Sequence, residues 1–175
     1  MKRWLILLLV GCLVLGSVAS AAVQKGDTEI DALGAWMKQN AKGDAEDIDV
    51  FFLSAGIGYF VTDNIQIQGA AVGAWTEVAG VDTDIWAIGA RAKYHFMPTN
   101  QWVPYIGGQL MWANFDAEGE DGDGVLWGPL VGLRYELNAY NDFFVEYQYH
   151  MWDGDIRDYV KDGHGVFVGI VHQFK

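Results

Sequence analysis

Between residues 83 and 115 the side chains alternate in character with a period of two, and few folds can use that pattern. Trp86, Ile88, Ala90, Ala92, Tyr94 and Phe96 share one face, while Ala87, Gly89, Arg91, Lys93 and His95 share the other. After Met97-Pro98-Thr99-Asn100-Gln101 the alternation resumes, with Trp102, Pro104, Ile106, Leu110 and Trp112 against Tyr105, Gly107, Gln109 and Met111. Successive side chains of a strand point to opposite sides of the backbone, so the stretch predicts two strands of about ten residues joined by a tight turn. The apolar face carries rings at both margins. A sheet packed on a soluble core has no use for that, whereas a strand crossing a bilayer does, because Trp and Tyr favour both membrane–water interfaces. A tilted membrane strand needs about 9–11 residues, which is the length of each arm.

The same alternation predicts six more strands. They are 28–38, 48–60, 65–76, 125–137, 143–152 and 164–174, so the hairpin supplies strands four and five of eight. Between them, 39–47, 77–83, 116–124 and 153–163 read as long polar loops, and 61–64, 97–101 and 138–142 as short turns. Long and short connections alternate, as in an up-and-down barrel. Trp36, Trp75, Trp86, Trp112, Trp127 and Trp152 fall at the long-loop ends of their strands and Trp102 at a turn end, so interface aromatics share one polarity along the chain.

The N-terminus has another character. Lys2 and Arg3 precede an apolar stretch from Trp4 to Leu15, and Ala19-Ser20-Ala21 fits an export cleavage site, predicting a signal peptide over 1–21 and a barrel domain over 22–175. Cys12 is the only cysteine, and Leu9-Val10-Gly11-Cys12 has the look of a lipoprotein box, although Leu13-Val14-Leu15 follows where a polar tether would be expected. Cleavage would leave no thiol chemistry and, with Lys2 and Arg3 gone, take the formal charge from −12 to −14. That acidity excludes nucleic-acid binding, which needs clustered Lys and Arg. No later apolar run is long enough for a membrane helix, so a spanning chain must close as a barrel.

With the A-x-A signal, Gly-Tyr-Phe-Val-Thr-Asp-Asn at 58–64, Trp-Val-Pro-Tyr-Ile-Gly-Gly at 102–108 and an aromatic terminal strand ending at Phe174, the sequence resembles the small eight-stranded outer-membrane β-barrel family that includes OmpX and the membrane domain of OmpA. It departs from that family's habit in placing Lys175 after the final aromatic. The resemblance implies an all-β, eight-stranded antiparallel transmembrane barrel in the outer membrane of a Gram-negative bacterium. It further implies contact with outer-membrane lipids and lipopolysaccharide, insertion by the barrel-assembly machinery through the C-terminal strand, a monomeric state and no cofactor. The motifs specify architecture rather than activity.

Three sets of residues are functional candidates. Glu29, Asp31, Arg91, Lys93, His95, Gln109, Arg134, Glu136, Glu146, Gln148 and His150 face inward, and a turn centred on Tyr140 would set Arg134 opposite Glu146. They would form either a conduction path or a packed network, and eight strands leave an interior just wide enough for side chains, which favours the network. Most acidic residues collect in the long loops: Asp44, Glu46, Asp47, Asp49, Glu77, Asp82, Asp84, Asp116, Glu118, Glu120, Asp121, Asp123, Asp153, Asp155, Asp158 and Asp162, opposed there by Lys42, Arg157 and Lys161. Asp116, Glu118, Glu120, Asp121 and Asp123 are weak metal candidates, since hard cations prefer carboxylate oxygens but the spacing is not that of an EF-hand. The alternative is solvated loops that repel one another.

Two further classes compete. A lipid-modifying enzyme would need a serine, and the mature chain offers only Ser54, with His95, His150, His164 and His172 distant from it in sequence. A soluble periplasmic ligand carrier would put its apolar face inside, whereas here the ring-bounded face is the apolar one and the other collects Arg, Lys, Glu and Gln. Both are disfavoured.

Overall fold

In a computed structural model the eight strands close into one antiparallel barrel in chain order. The structure describes residues 23–41, 48–78, 81–117, 120–158 and 160–174. The strands are β1 Thr28–Ala41, β2 Ile48–Phe60, β3 Ile65–Val78, β4 Val81–His95, β5 Trp102–Ala117, β6 Glu120–Asn138, β7 Asn141–Gly154 and β8 Val160–Phe174. A one-turn 3-10 helix, Asp155–Asp158, lies between the last two. The signal segment and Cys12 lie outside the described residues, as do Lys42, Asp44, Glu46, Asp47, Glu118 and Lys175.

Burial alternates residue by residue along β2, β3, β6 and β8, which is how period-two chemistry becomes a wall with two faces. Ile57, Ile67, Ile88, Ile106, Leu110, Val131, Tyr147 and Val168 are exposed on the outside, while Glu29, Gln66, Arg91, Lys93, Glu146 and Gln148 are buried inside. The sidedness is the reverse of a soluble protein's, as a bilayer requires. Closure between β1 and β8 pairs Thr28 with Phe174 and Trp36 with Val166. No sheet edge is left to face lipid.

Three tight connections sit at one end. At Val61–Asn64 the Thr62 hydroxyl accepts from the Ile65 amide at 2.9 Å. At Phe96–Gln101 the Asn100 amide donates to the Met97 carbonyl at 3.0 Å, with Met97 at φ 51. Ala139–Tyr140 is closed by the Asn138 side chain, whose Oδ1 accepts from both the Tyr140 and the Asn141 amides at 3.0 Å.

At the other end the strands run further than their hydrophobic pattern. Of the stretch 116–124, expected as a loop without strand character, residues 116–117 and 120–124 instead continue the ladder of β5 and β6, with Asp116 opposite Asp121 and Asn114 opposite Asp123. Likewise β3 and β4 pair as far as Val78 and Val81, and β8 begins at Val160, so the expected loops 77–83 and 153–163 are shorter than their polar sequences suggest. Beyond the bilayer both faces of a hairpin meet water, so alternation fades although backbone pairing continues. At 19 residues β6 far exceeds the crossing length and carries its hairpin outward.

Candidate functional site

The turn-side half of the interior is a connected polar network. Arg134 lies between two carboxylates, with Nη1 2.8 Å from Glu29 and Nε on Asp142. Glu29 also accepts from Gln66, and Gln173 donates to Asp142 at 2.7 Å. Higher up, Lys93 pairs with Glu146 at 3.2 Å, its ammonium 5.2 Å from the Tyr105 ring centre and 5.6 Å from that of Phe144. Gln148 donates to Glu146, and its own Oε1 accepts from Gln109 at 3.1 Å and meets His150 Nε2 at 2.8 Å. Gln68 donates to Asp31, and Arg91 Nη2 reaches the Ser54 hydroxyl at 3.3 Å. His95 stacks on Tyr105 at 5.2 Å and contacts Gln66 at 3.3 Å.

Strand alternation gathers these groups because polar residues on eight strands all point to one axis. Arg91, Lys93 and His95 come from alternate positions of β4, and Glu146, Gln148 and His150 from alternate positions of β7. The expected pairing of Arg134 with Glu146 does not form. The turn is centred between Ala139 and Tyr140, and an irregularity between Glu136 and Asn138 brings Arg134 opposite Phe144 and Gly132 opposite Glu146. Arg134 therefore turns to Glu29 and Asp142, leaving Glu146 to Lys93. Of the inward set, Glu136 is only half-buried and the rest are buried. Sequence reasoning missed Asp142, which it assigned to the turn, and passed over Gln66, Gln68, Tyr105 and Gln173. All four were legible as the inward partners of apolar neighbours.

The loop-side half is apolar. Phe52, Val72, Met111, Phe115, Leu126 and Phe167 form one buried cluster with Trp152 and with Ile156 from the 3-10 turn. Trp152, expected at the membrane interface with the other tryptophans, is thus an interior residue, 5 % exposed, edge-on to His150. Its parity along β7 matches Gln148 and His150 and points it inward; position near a strand end does not determine face. Trp75, Trp86, Trp112 and Trp127 are exposed near the loop end, with Trp86 and Trp112 in edge contact at 4.9 Å. Trp102 and Phe174 are exposed at the turn end, joined there by Tyr135, which lies 4.4 Å from Trp102. The side chain of Trp36 is outside the described residues, as are those of Glu120 and Asp121.

Between the two halves lies a cavity of about 10 Å³ lined by Ser54, Arg91, Gln109, Gln148, His150 and Phe167, and another of similar size sits lower by Glu29, Lys93 and Arg134. Each is about the smallest space that holds one water. The fold brings His150 to the same cavity as Ser54, but the hydroxyl is engaged by Arg91 and the imidazole by Gln148. Among the described residues no cluster of three or more His, Cys, Asp or Glu is placed to hold a metal ion. Asp123 accepts from the Trp112 indole at 3.1 Å, and Asp116 is exposed.

A closed eight-stranded wall, apolar outside between aromatic rims and packed with charge inside, defines a small integral β-barrel of the outer-membrane type. The sequence profile of the outer membrane protein beta-barrel domain matches residues 7–174, and the chain belongs to that family. Among solved structures it is similar to Neisserial surface protein A, at 20 % identity and a TM-score of 0.71 over 86 % of this chain and 100 % of that one. The attachment invasion locus protein Ail of Yersinia pestis aligns at 14 % identity and a TM-score of 0.54, over 86 % and 100 % of the two chains. The N-terminal barrel domain of Pseudomonas aeruginosa OprF aligns at 20 % identity and 0.52, over 86 % and 98 %. At these identities the likeness is one of fold. No curated protein sequence matches this chain closely enough to count as a relative.

Proposed function

We propose that this barrel works at its outer surface and not through its lumen, as a non-catalytic outer-membrane protein that presents acidic hairpins to its surroundings. The observation that carries this reading is the filled interior: ion pairs occupy the turn-side half, an apolar cluster the loop-side half, and the cavities between are about 10 Å³. In planar bilayers the purified protein should give no large, steady conductance; wide, voltage-independent channels would overturn the reading.

The outer hairpins support the surface role. Asp84 faces Asp116 across β4 and β5, a juxtaposition of like charges that an ordinary sheet would avoid, and the backbone register continues the row to position 121 of β6. Such a row suits cationic partners, divalent ions included, and disfavours polyanions. Ail has been solved with the heparin analogue sucrose octasulfate; a ligand of that charge would be repelled here. Titration calorimetry should register calcium at millimolar levels and no heat with a sulfated saccharide, and the opposite pattern would sink the assignment. Lipid A mass spectra should be unchanged on overexpression, in keeping with a non-enzymatic role. Export would proceed by cleavage after Ala21, and N-terminal sequencing of the membrane-inserted protein should begin at Ala22.

A further inference from the structure

The lipid-facing wall is not uniformly convex. Across β4, β5 and β6 one hydrogen-bonded row carries only Ala92, Gly108 and Pro129 on its outer face, joined by the registers Ala92–Gly108 and Gly108–Pro129. The rows on either side carry large side chains: Tyr94, Ile106 and Val131 toward the turns, Leu110 and Trp127 toward the loops. The result is a trough made of two adjoining concavities of about 650 and 560 Å³ that share Ala92, Gly107 and Pro129. It is closed by Ile67 on β3 at one end and Tyr149 on β7 at the other. From β3 to β7 there are four interstrand steps of about 4.8 Å, giving a length near 19 Å. Ile67 is close to the turn end of β3, whereas Tyr149 lies past the middle of β7. The trough therefore climbs diagonally from the turn-side membrane edge toward mid-bilayer.

The β6–β7 ladder lapses at the same place. Pairing runs from Trp127–Met151 to Leu130–Gln148 without a change of register, skipping Gly128 and Pro129, where the proline ring replaces an amide donor. A Cβ at Gly128 would come within 1.9 Å of the Tyr149 carbonyl oxygen, so only glycine lets the two backbones approach this closely. Gly108 is different: a Cβ there would meet nothing nearer than 3.7 Å. Its lack of a side chain is not demanded by the wall. It deepens the trough.

We propose that this trough seats one acyl chain of a phospholipid from the turn-side leaflet. Hydrocarbon is what surrounds this face, and a concavity left empty forfeits contacts on one side. A second copy of the chain is a poor filler, because a twofold contact opposes the same patch on both subunits and two troughs face to face enclose a void. The charged and amide residues of the wall, Arg91, Lys93 and Gln109, turn their side chains inward, so the site recognises a chain and not a headgroup. The inference rests on the barrel lying in a membrane, which the mobility shift on boiling before electrophoresis tests separately.

The test is photolabelling in phosphatidylcholine–phosphatidylglycerol vesicles doped with a phospholipid that carries a diazirine on its acyl chain. Labelled peptides should concentrate several-fold around Ala92, Gly108 and Pro129 relative to the opposite wall at Leu53, Ile57 and Val168. Ala92→Phe should bring labelling down to the level of that wall, with the boiling-dependent mobility shift intact. Gly108→Leu, entering open space, provides the same test should Ala92→Phe fold poorly. Uniform labelling around the barrel, labelling that persists in the filled variants, or trough-to-trough cross-linked dimers would each overturn the proposal.

Discussion

The two halves of the interior solve one packing problem with opposite chemistry. On the turn side the volume is filled by Arg134, Lys93 and their carboxylates, each held by specific partners. On the loop side Phe52, Leu126, Phe167 and their neighbours fill the interior with no directional demand. An apolar cluster tolerates exchange among apolar side chains of similar volume, whereas a buried ion pair does not tolerate the loss of one partner. The difference teaches that the polar half fixes which residue meets which, while the apolar half supplies bulk.

The largest expected effect is that of Arg134→Met, which leaves Glu29 and Asp142 buried inside the barrel without their counter-charge and should lower stability by about 3–5 kcal/mol in urea unfolding from vesicles. A loss no larger than a surface substitution's would mean the two carboxylates find other partners. Lys93→Met and Leu126→Met then separate the halves directly. The first keeps volume and leaves Glu146 buried with its Gln148 hydrogen bond but without its counter-charge, so it should destabilise by about 3 kcal/mol, while the second should stay under about 1.5 kcal/mol. Equal effects would erase the distinction. Adding Glu146→Leu to Lys93→Met should recover most of the loss, since removing both charges leaves neither stranded. The smallest effect belongs outside both halves: Asp123→Asn, at an exposed hydrogen bond, should fall within about 0.5 kcal/mol of the parent.

Inside the bilayer the sequence was legible almost residue by residue, because lipid on one side and a polar lumen on the other impose the alternation. β2 runs from Ile48 to Phe60, as its pattern predicts. Where water lies on both sides that constraint disappears, and the strands continue through Asp116 and Asp123 without any apolar signal. Face could be read and register could not. Whether Arg134 opposes Phe144 or Glu146 depends on one residue of turn geometry and an irregularity beside Glu136, and neither leaves a hydrophobic mark. Trp152 shows the converse error, where a pattern shared by other tryptophans was given more weight than the parity of its own strand.

The pairing of Thr28 with Phe174 has a kinetic meaning. The residues that complete the ring are separated by nearly the whole chain, so the search that unites them is among the slowest the polypeptide must make. Until it succeeds, β1 and β8 each present an unpaired row of amides and carbonyls, which hydrocarbon penalises by several kcal/mol per group. An unclosed eight-stranded sheet therefore has no stable place in the bilayer. Assembly must either finish in one cooperative step or proceed while another surface holds both open edges.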